Sequence, residues 1–314
     1  MNASSKFAGF TVGLAAVFAL ALGAGAALGP EDATPADTHD TSTHDAGPDS
    51  TAGAPVADQT PGGLMVTDSG YTLALDTAQV AAGADVPLRF RILEADGVPV
   101  TRYVDSHEKQ LHLIAVRRDM AGFQHVHPTL DAAGTWSVPL DLTRAGVYRV
   151  FADFTPDGGD GLTLGADLQV AGAYDPQPLP PVAATAVVDG YTVTLDGTLT
   201  PGQASKVTLA VSRDGQPVTD LQPYLGAYGH LVALRAADLG YLHVHPDGHP
   251  GDGVTAPGPG INFVVTTPSA GDYRLFLDFQ HDGVVRTAEF TLTAGNVPGA
   301  AAPAAEPMPA GHGH

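Results

Sequence analysis

The middle of the chain is built from short runs in which apolar and polar residues partly alternate, broken by Gly, Asp and Pro. Tyr71-Thr72-Leu73-Ala74-Leu75, Val86-Pro87-Leu88-Arg89-Phe90-Arg91-Ile92 and Tyr148-Arg149-Val150-Phe151-Ala152-Asp153-Phe154 are such runs. They are rich in β-branched and aromatic residues, and their period of two predicts strands rather than helices. The runs come in two sets. Gly97-Val98-Pro99-Val100-Thr101 recurs as Gly215-Gln216-Pro217-Val218-Thr219, and His112-Leu113-Ile114-Ala115-Val116-Arg117 as His230-Leu231-Val232-Ala233-Leu234-Arg235. Phe123-Gln124-His125-Val126-His127-Pro128 recurs as Tyr241-Leu242-His243-Val244-His245-Pro246, at a constant offset of 118 residues (His112 to His230). Beyond this the offset becomes 125 (Asp153 to Asp278), so copy two has seven extra residues, placed after Pro246. An internal repeat of this length means two similar modules, each with about seven short strands. The fold class expected is all-β, two tandem immunoglobulin-like β-sandwich domains after an N-terminal hydrophobic helix. The boundaries read from the repeat are 63–172 and 183–294, joined by a Pro-rich linker at 173–182.

The ends differ in kind. Phe7 to Leu28 is an uncharged, mainly apolar run of 22 residues, with Lys6 before it and Glu31 and Asp32 after it. It is long enough to span a bilayer, and the charge layout places the rest of the chain outside the cytoplasm. Its length favours a signal anchor within 1–29; a signal peptide cleaved near Ala26 is the alternative. Residues 30–62 and 295–314 lack large apolar side chains over most of their length and read as a disordered tether and tail. His39, His44, His312 and His314 in these ends are read as solvated residues.

Composition narrows the chemistry. Thirty-four acidic against fourteen basic residues give a formal charge of −20, which repels phosphate backbones and argues against a nucleic-acid partner. There is no cysteine, so disulfides, thiolate metal sites and thiol nucleophiles are excluded. Any transition-metal site has to use His, carboxylate or backbone oxygen.

The histidines supply a pattern of that kind. In a hairpin pairing 111–116 with 123–127, His112 falls opposite His127 and Ile114 opposite His125. Side-chain alternation then puts all four on one face, with Leu111, Leu113, Ala115 and Val126 on the other. The same register in copy two sets His230 opposite His245 and Val232 opposite His243. Imidazoles on paired positions are close enough to meet at one ion. Asp153 and Asp278 stand at equivalent places within apolar strands, as ligands or as acceptors that fix an imidazole tautomer, or else as structural hydrogen-bond acceptors. The expected metal residues are therefore His112, His125, His127 and Asp153 in copy one, and His230, His243, His245 and Asp278 in copy two. Neutral imidazole with carboxylate suits Cu(II), Zn(II) or Ni(II), and intrinsic affinity favours Cu(II); Cu(II) or Zn(II) is the expected ion. His107 and Glu108, which have no counterparts in copy two, and His249 and His281, peculiar to it, are read as surface residues.

These segments resemble secreted or membrane-anchored bacterial proteins labelled heavy-metal-binding or YtkA-like. The likeness rests on His107–Ile114, Phe123–Pro128 and Tyr148–Phe154, and on Tyr224–His230 with Tyr241–Pro246. It implies an exported immunoglobulin-like module involved in metal handling. Three functions follow from the residues: a metal-binding envelope protein for buffering, delivery or resistance; a structural or adhesive immunoglobulin-like pair docking on another envelope protein; and a metal-dependent oxidase or hydrolase. The last ranks lowest, because no general base or nucleophile can be named. The expectation is a binding protein, not an enzyme.

Overall fold

The computed structural model describes residues 60–295. The apolar run 7–28, most of the N-terminal tether and nearly all of the C-terminal tail lie outside the described residues. Among those described, no helix is long and apolar enough to cross a membrane. They form strands and turns throughout.

Copy one consists of β1 (Thr67–Asp68), β2 (Tyr71–Leu75), β3 (Gln79–Ala81), β4 (Gly83–Leu93), β5 (Tyr103–Val104), β6 (Leu111–Arg117), β7 (Gln124–Val126), β8 (Thr129–Leu130), β9 (Trp136–Leu142), β10 (Gly146–Pro156) and β11 (Leu162–Ala171). One sheet runs β1-β2-β4-β9-β8 and the other β3-β11-β10-β6-β7. The split of sequential strands between two sheets, with the short β3 parallel to β11, is the immunoglobulin-like Greek key. Leu88, Phe90, Trp136, Leu113 and Val150 fill the space between the sheets.

Copy two consists of β12 (Thr185–Val188), β13 (Tyr191–Asp196), β14 (Ala204–Arg213), β15 (Gln216–Pro217), β16 (His230–Arg235), β17 (Tyr241–Pro246), β18 (Gly260–Thr266), β19 (Gly271–His281) and β20 (Val284–Ala294). Here β17 pairs with β16 at one end and with β18 at the other, so the two sheets are continuous. In copy one the corresponding stretch is divided between β7, paired to β6, and β8, paired to β9.

Each copy carries the tyrosine corner of this fold class. The Tyr148 hydroxyl donates to the Arg144 carbonyl at 2.9 Å, and that of Tyr273 to the Ser269 carbonyl at 2.9 Å.

All seven residues of β6 are buried. Strand alternation sends Leu111, Leu113 and Ala115 into the sandwich core, while Ile114 and Val116 join a separate apolar cluster with Phe151, Val232, Leu234 and Phe276. This second cluster joins the two copies. Phe123 stacks on Phe276 with ring centroids 3.9 Å apart, and Phe151 meets Tyr241 at 5.5 Å. Phe123 and Tyr241 are repeat counterparts, as are Phe151 and Phe276, so the contact has the form of an internal two-fold, like an isologous dimer within one chain.

Gly62, at the end of the segment that the sequence assigns to the tether, and Gly63, the first residue of the expected domain, pack against this junction. Gly62 pairs with Tyr241, and the Gly63 carbonyl accepts from Arg149. Gly63 has φ 72°, and a Cβ there would fall 2.2 Å from the Phe151 ring, so both backbone and space require glycine. On the linker side, Arg117 donates to the Asp175 carbonyl at 3.0 Å and the Gln177 amide donates to Asp119 at 2.8 Å.

Candidate metal centre

The hairpin register is the one that the alternation predicts. Ile114 stands opposite His125 and Leu113 opposite Val126; in copy two Val232 stands opposite His243 and Leu234 opposite Tyr241. His112, His125 and His127 consequently converge. Each offers a ring nitrogen, and these atoms lie within 4.8 Å of one another. His112 Nδ1 is 3.1 Å from His125 Nε2 and 3.1 Å from His127 Nε2. Imidazole nitrogens around a tetrahedral ion at 2.0–2.1 Å stand about 3.3 Å apart, so these spacings match a shared cation.

The outer hydrogen bonds fix the tautomers. His112 Nε2–H donates to the Ser106 carbonyl at 3.0 Å, which leaves Nδ1 as a lone pair. His125 Nδ1–H donates to Asp278 Oδ2 at 2.7 Å, which leaves Nε2 as a lone pair. Two lone pairs therefore face each other across 3.1 Å, whichever tautomer His127 takes. A cation between them relieves the repulsion, as does a proton that charges one ring; a neutral His127 can also satisfy the His112 lone pair by donating Nε2–H to it at 3.1 Å. For His112, charging is disfavoured. Burial, with the neighbouring His125 and His107 adding to it, pushes His112 down to about 4 even though the Ser106 carbonyl and Asp153 favour its proton. Burial also lowers His127 well below its ordinary value, reinforced by His125 and His112. His230 falls to about 4 for the same leading reason, despite its bond to the Tyr224 carbonyl.

The carboxylates arrange themselves across the two copies. Asp278 neighbours His230 in its own sheet, yet its Oδ2 accepts from His125 of copy one. Its Oδ1 accepts from Thr287 at 2.6 Å. Asp153 neighbours His112 and accepts from Thr163 at 3.1 Å and from the Tyr241 hydroxyl of copy two at 3.3 Å. The sequence treats each hairpin as a self-contained site; the structure draws copy two into the copy-one site. The reason is the shared His face: once Ile114 and Val116 are buried against copy two, the histidines of the same face are buried there as well.

No curated protein matches the chain, but a domain family of unknown function (DUF8832) matches it twice, over residues 65–172 and 186–296. The chain belongs to DUF8832. Among solved structures, it is 17% identical to the Escherichia coli adhesin FdeC over 73% of this chain and 65% of that one, with a TM-score of 0.25. For Yersinia pseudotuberculosis InvD the values are 13%, 73%, 58% and 0.25, and for the integrin-binding protein invasin 15%, 72%, 39% and 0.20. The chain thus spans less than two thirds of the length of each.

In this DUF8832 protein the other histidines divide. His107, read from sequence as a surface residue, stands with its ring centroid 5.2 Å from His230 and 6.1 Å from His112. It occupies the tight turn Ser106–Lys109 with φ 48°, followed by Glu108 at φ 61°. Left-handed backbone at two successive non-glycine residues is costly, and copy two relieves it with Leu225-Gly226. The missed signal is that the departure from the repeat lies five residues before His112. His249 is exposed in the copy-two insertion, and His281 bonds to Tyr191 and Asp220, away from the cluster.

Proposed function

We propose that the protein is a metal-binding module acting outside the cytoplasm, which holds Cu(II) or Zn(II) on His112, His125 and His127. The observation that carries this reading is the pair of lone pairs on His112 Nδ1 and His125 Nε2, held 3.1 Å apart by hydrogen bonds on the far side of each ring. Asp278 fixes His125 as a carboxylate fixes a metal-bound imidazole. The resemblance to heavy-metal-binding envelope proteins points the same way, and the apolar run before the sandwiches fits export, with a membrane anchor if that run stays uncleaved. Binding for storage, delivery or resistance needs no further group, so turnover is not part of the reading.

A second reading has its own observation. A proton on His125 would form a buried ion pair with Asp278 at 2.7 Å and let Nε2–H donate to His112, stapling the two copies without a metal. The protein would then be a structural or adhesive pair of immunoglobulin-like domains that docks on another envelope protein. Isothermal titration of the tag-free full chain with Zn(II) at pH 7.5 separates the two. One strong site lost in His112→Ala and His127→Ala supports the metal; a chain that takes up neither Zn(II) nor Cu(II) leaves the staple.

A further inference from the structure

We propose that residues 62–65 form a detachable strap, which holds the two copies closed over the histidine cluster when seated and opens that cluster when released. The contacts that seat it involve none of the three histidines, so the device works whether or not an ion is bound. The strap runs across both copies. On copy one the Gly63 amide donates to the Thr163 carbonyl and the Gly165 amide to the Met65 carbonyl, both at 2.8 Å, which extends the sheet beyond β11. On copy two the Tyr241 amide donates to the Gly62 carbonyl at 3.0 Å. Arg149 of β10 clamps it: Nε and Nη2 reach the Gly63 carbonyl at 3.0 and 2.6 Å, and Nη2 also reaches the Leu64 carbonyl at 2.9 Å.

Copy one is built to take the strap, and copy two is not. Phe151 pairs with Gly165 across β10 and β11, where its counterpart Phe276 pairs with Glu289. Arg274, the counterpart of Arg149, spends Nη2 on the Glu289 carboxylate. Its Nη1 takes Thr291, just as Nη1 of Arg149 takes Asp167. Two strap carbonyls thus do for Arg149 what one side chain does for Arg274. A Cβ on Gly165 would lie 2.0 Å from the Gly63 carbonyl oxygen, so a side chain there excludes the strap. The path from strap to cluster is short. Tyr241, held by Gly62, packs its ring against Phe151 and donates its hydroxyl to Asp153, which stands opposite His112. Phe151 and Tyr241 also belong to the apolar cluster that joins the copies. Lifting the strap leaves the buried Tyr241 amide without its partner, and an unpaired buried donor favours parting the copies to hydrate it. Residues 1–59 lead directly into the strap, so a pull on that segment reaches the junction through Gly62.

Hydrogen exchange and diethyl pyrocarbonate labelling of the metal-free full chain at pH 7.5 test this, with two variants that lift the strap from opposite sides. Gly165→Glu installs the copy-two residue, which fills the strap's place and takes over Arg149. Gly63→Ala acts within the strap, where a Cβ would fall 2.2 Å from the Phe151 ring. Gly70→Ala is the control, with φ +84° and nothing within 4 Å of the added carbon. In both strap variants the Gly63 and Tyr241 amides should exchange at least about tenfold faster than in the wild type, and His112 and His125 should be labelled faster by a similar factor. Labelling of the control should match the wild type. Unchanged fluorescence of the buried Trp136 shows that copy one stays folded. If Gly165→Glu alters it, Gly63→Ala decides, because Gly63 lies outside both sandwich cores. Faster strap exchange with unchanged histidine labelling would overturn the strap's role, as would strap amides that stay as protected in Gly63→Ala as in the wild type. Zn(II) titration is read separately: a wild type that takes up no Zn(II) counts against the metal and leaves the labelling result standing.

Discussion

At the scale of single residues, the site depends on what each ring nitrogen does on its far side. Asp278 is a positioning residue: its carboxylate holds His125 Nδ1–H and so aims Nε2 at His112. Asp278→Asn keeps the volume and removes the charge, and should weaken Zn(II) binding about 10–100-fold, measured by competition with a chromophoric chelator. Protons compete for the same lone pairs. His112 and His230 titrate near 4 when folded against an ordinary value of 6.5, and His127 lies lower still. Between pH 6.5 and 4 the unfolded chain therefore binds more protons than the folded one. The stability of the metal-free protein should be fully present above 6.5 and should fall towards 4, each such histidine contributing a slope of up to about 1.4 kcal/mol per pH unit. Urea unfolding of metal-free protein at pH 7.5, 6 and 5 measures this, and stability rising on acidification would contradict the buried neutral histidines.

At the scale of elements, the strands and the hairpin register were legible because a period of two leaves little freedom. In Leu111-His112-Leu113-Ile114-Ala115-Val116 one face must be Leu, Leu, Ala and the other His, Ile, Val, and the repeat in copy two allows the same register. What covers the second face was not legible. Ile114 and Val116 suit contact with any apolar partner, and no pattern within one strand says that the partner is the other copy. For the same reason the pairing of Asp278 with His125, 153 residues away in sequence, lay beyond reading. His107 escaped because an unmatched residue in a repeat looks like variation. The tyrosine corners were present in the text as Ala-Gly-Val-Tyr148 and Ala-Gly-Asp-Tyr273, visible as a repeat but not as a hydrogen bond. Tyr148→Phe or Tyr273→Phe should each cost about 1 kcal/mol in chemical denaturation, since each removes one hydroxyl donor from a backbone carbonyl. A cost near zero in both would show that these corners do not hold the strand ends.

At the scale of the whole molecule, the two sandwiches act as one body because their His-bearing faces share an apolar contact. Phe276 lies at its centre, stacked on Phe123 and 1% exposed. Phe276→Ala should cost about 3–5 kcal/mol by denaturant unfolding and should weaken metal binding as well, because the same contact brings Asp278 to His125. A variant that lost stability but bound Zn(II) as the wild type does would uncouple the two. The metal reading requires something narrower, that the lone pairs of His112, His125 and His127 hold a cation. X-ray absorption at the zinc edge, on the full chain carrying one equivalent of Zn(II), tests it most directly. The result expected is a first shell that includes three imidazole nitrogens at about 2.0–2.1 Å, reduced in His112→Ala and His127→Ala. A first shell without imidazole, or one that neither substitution changes, would contradict it.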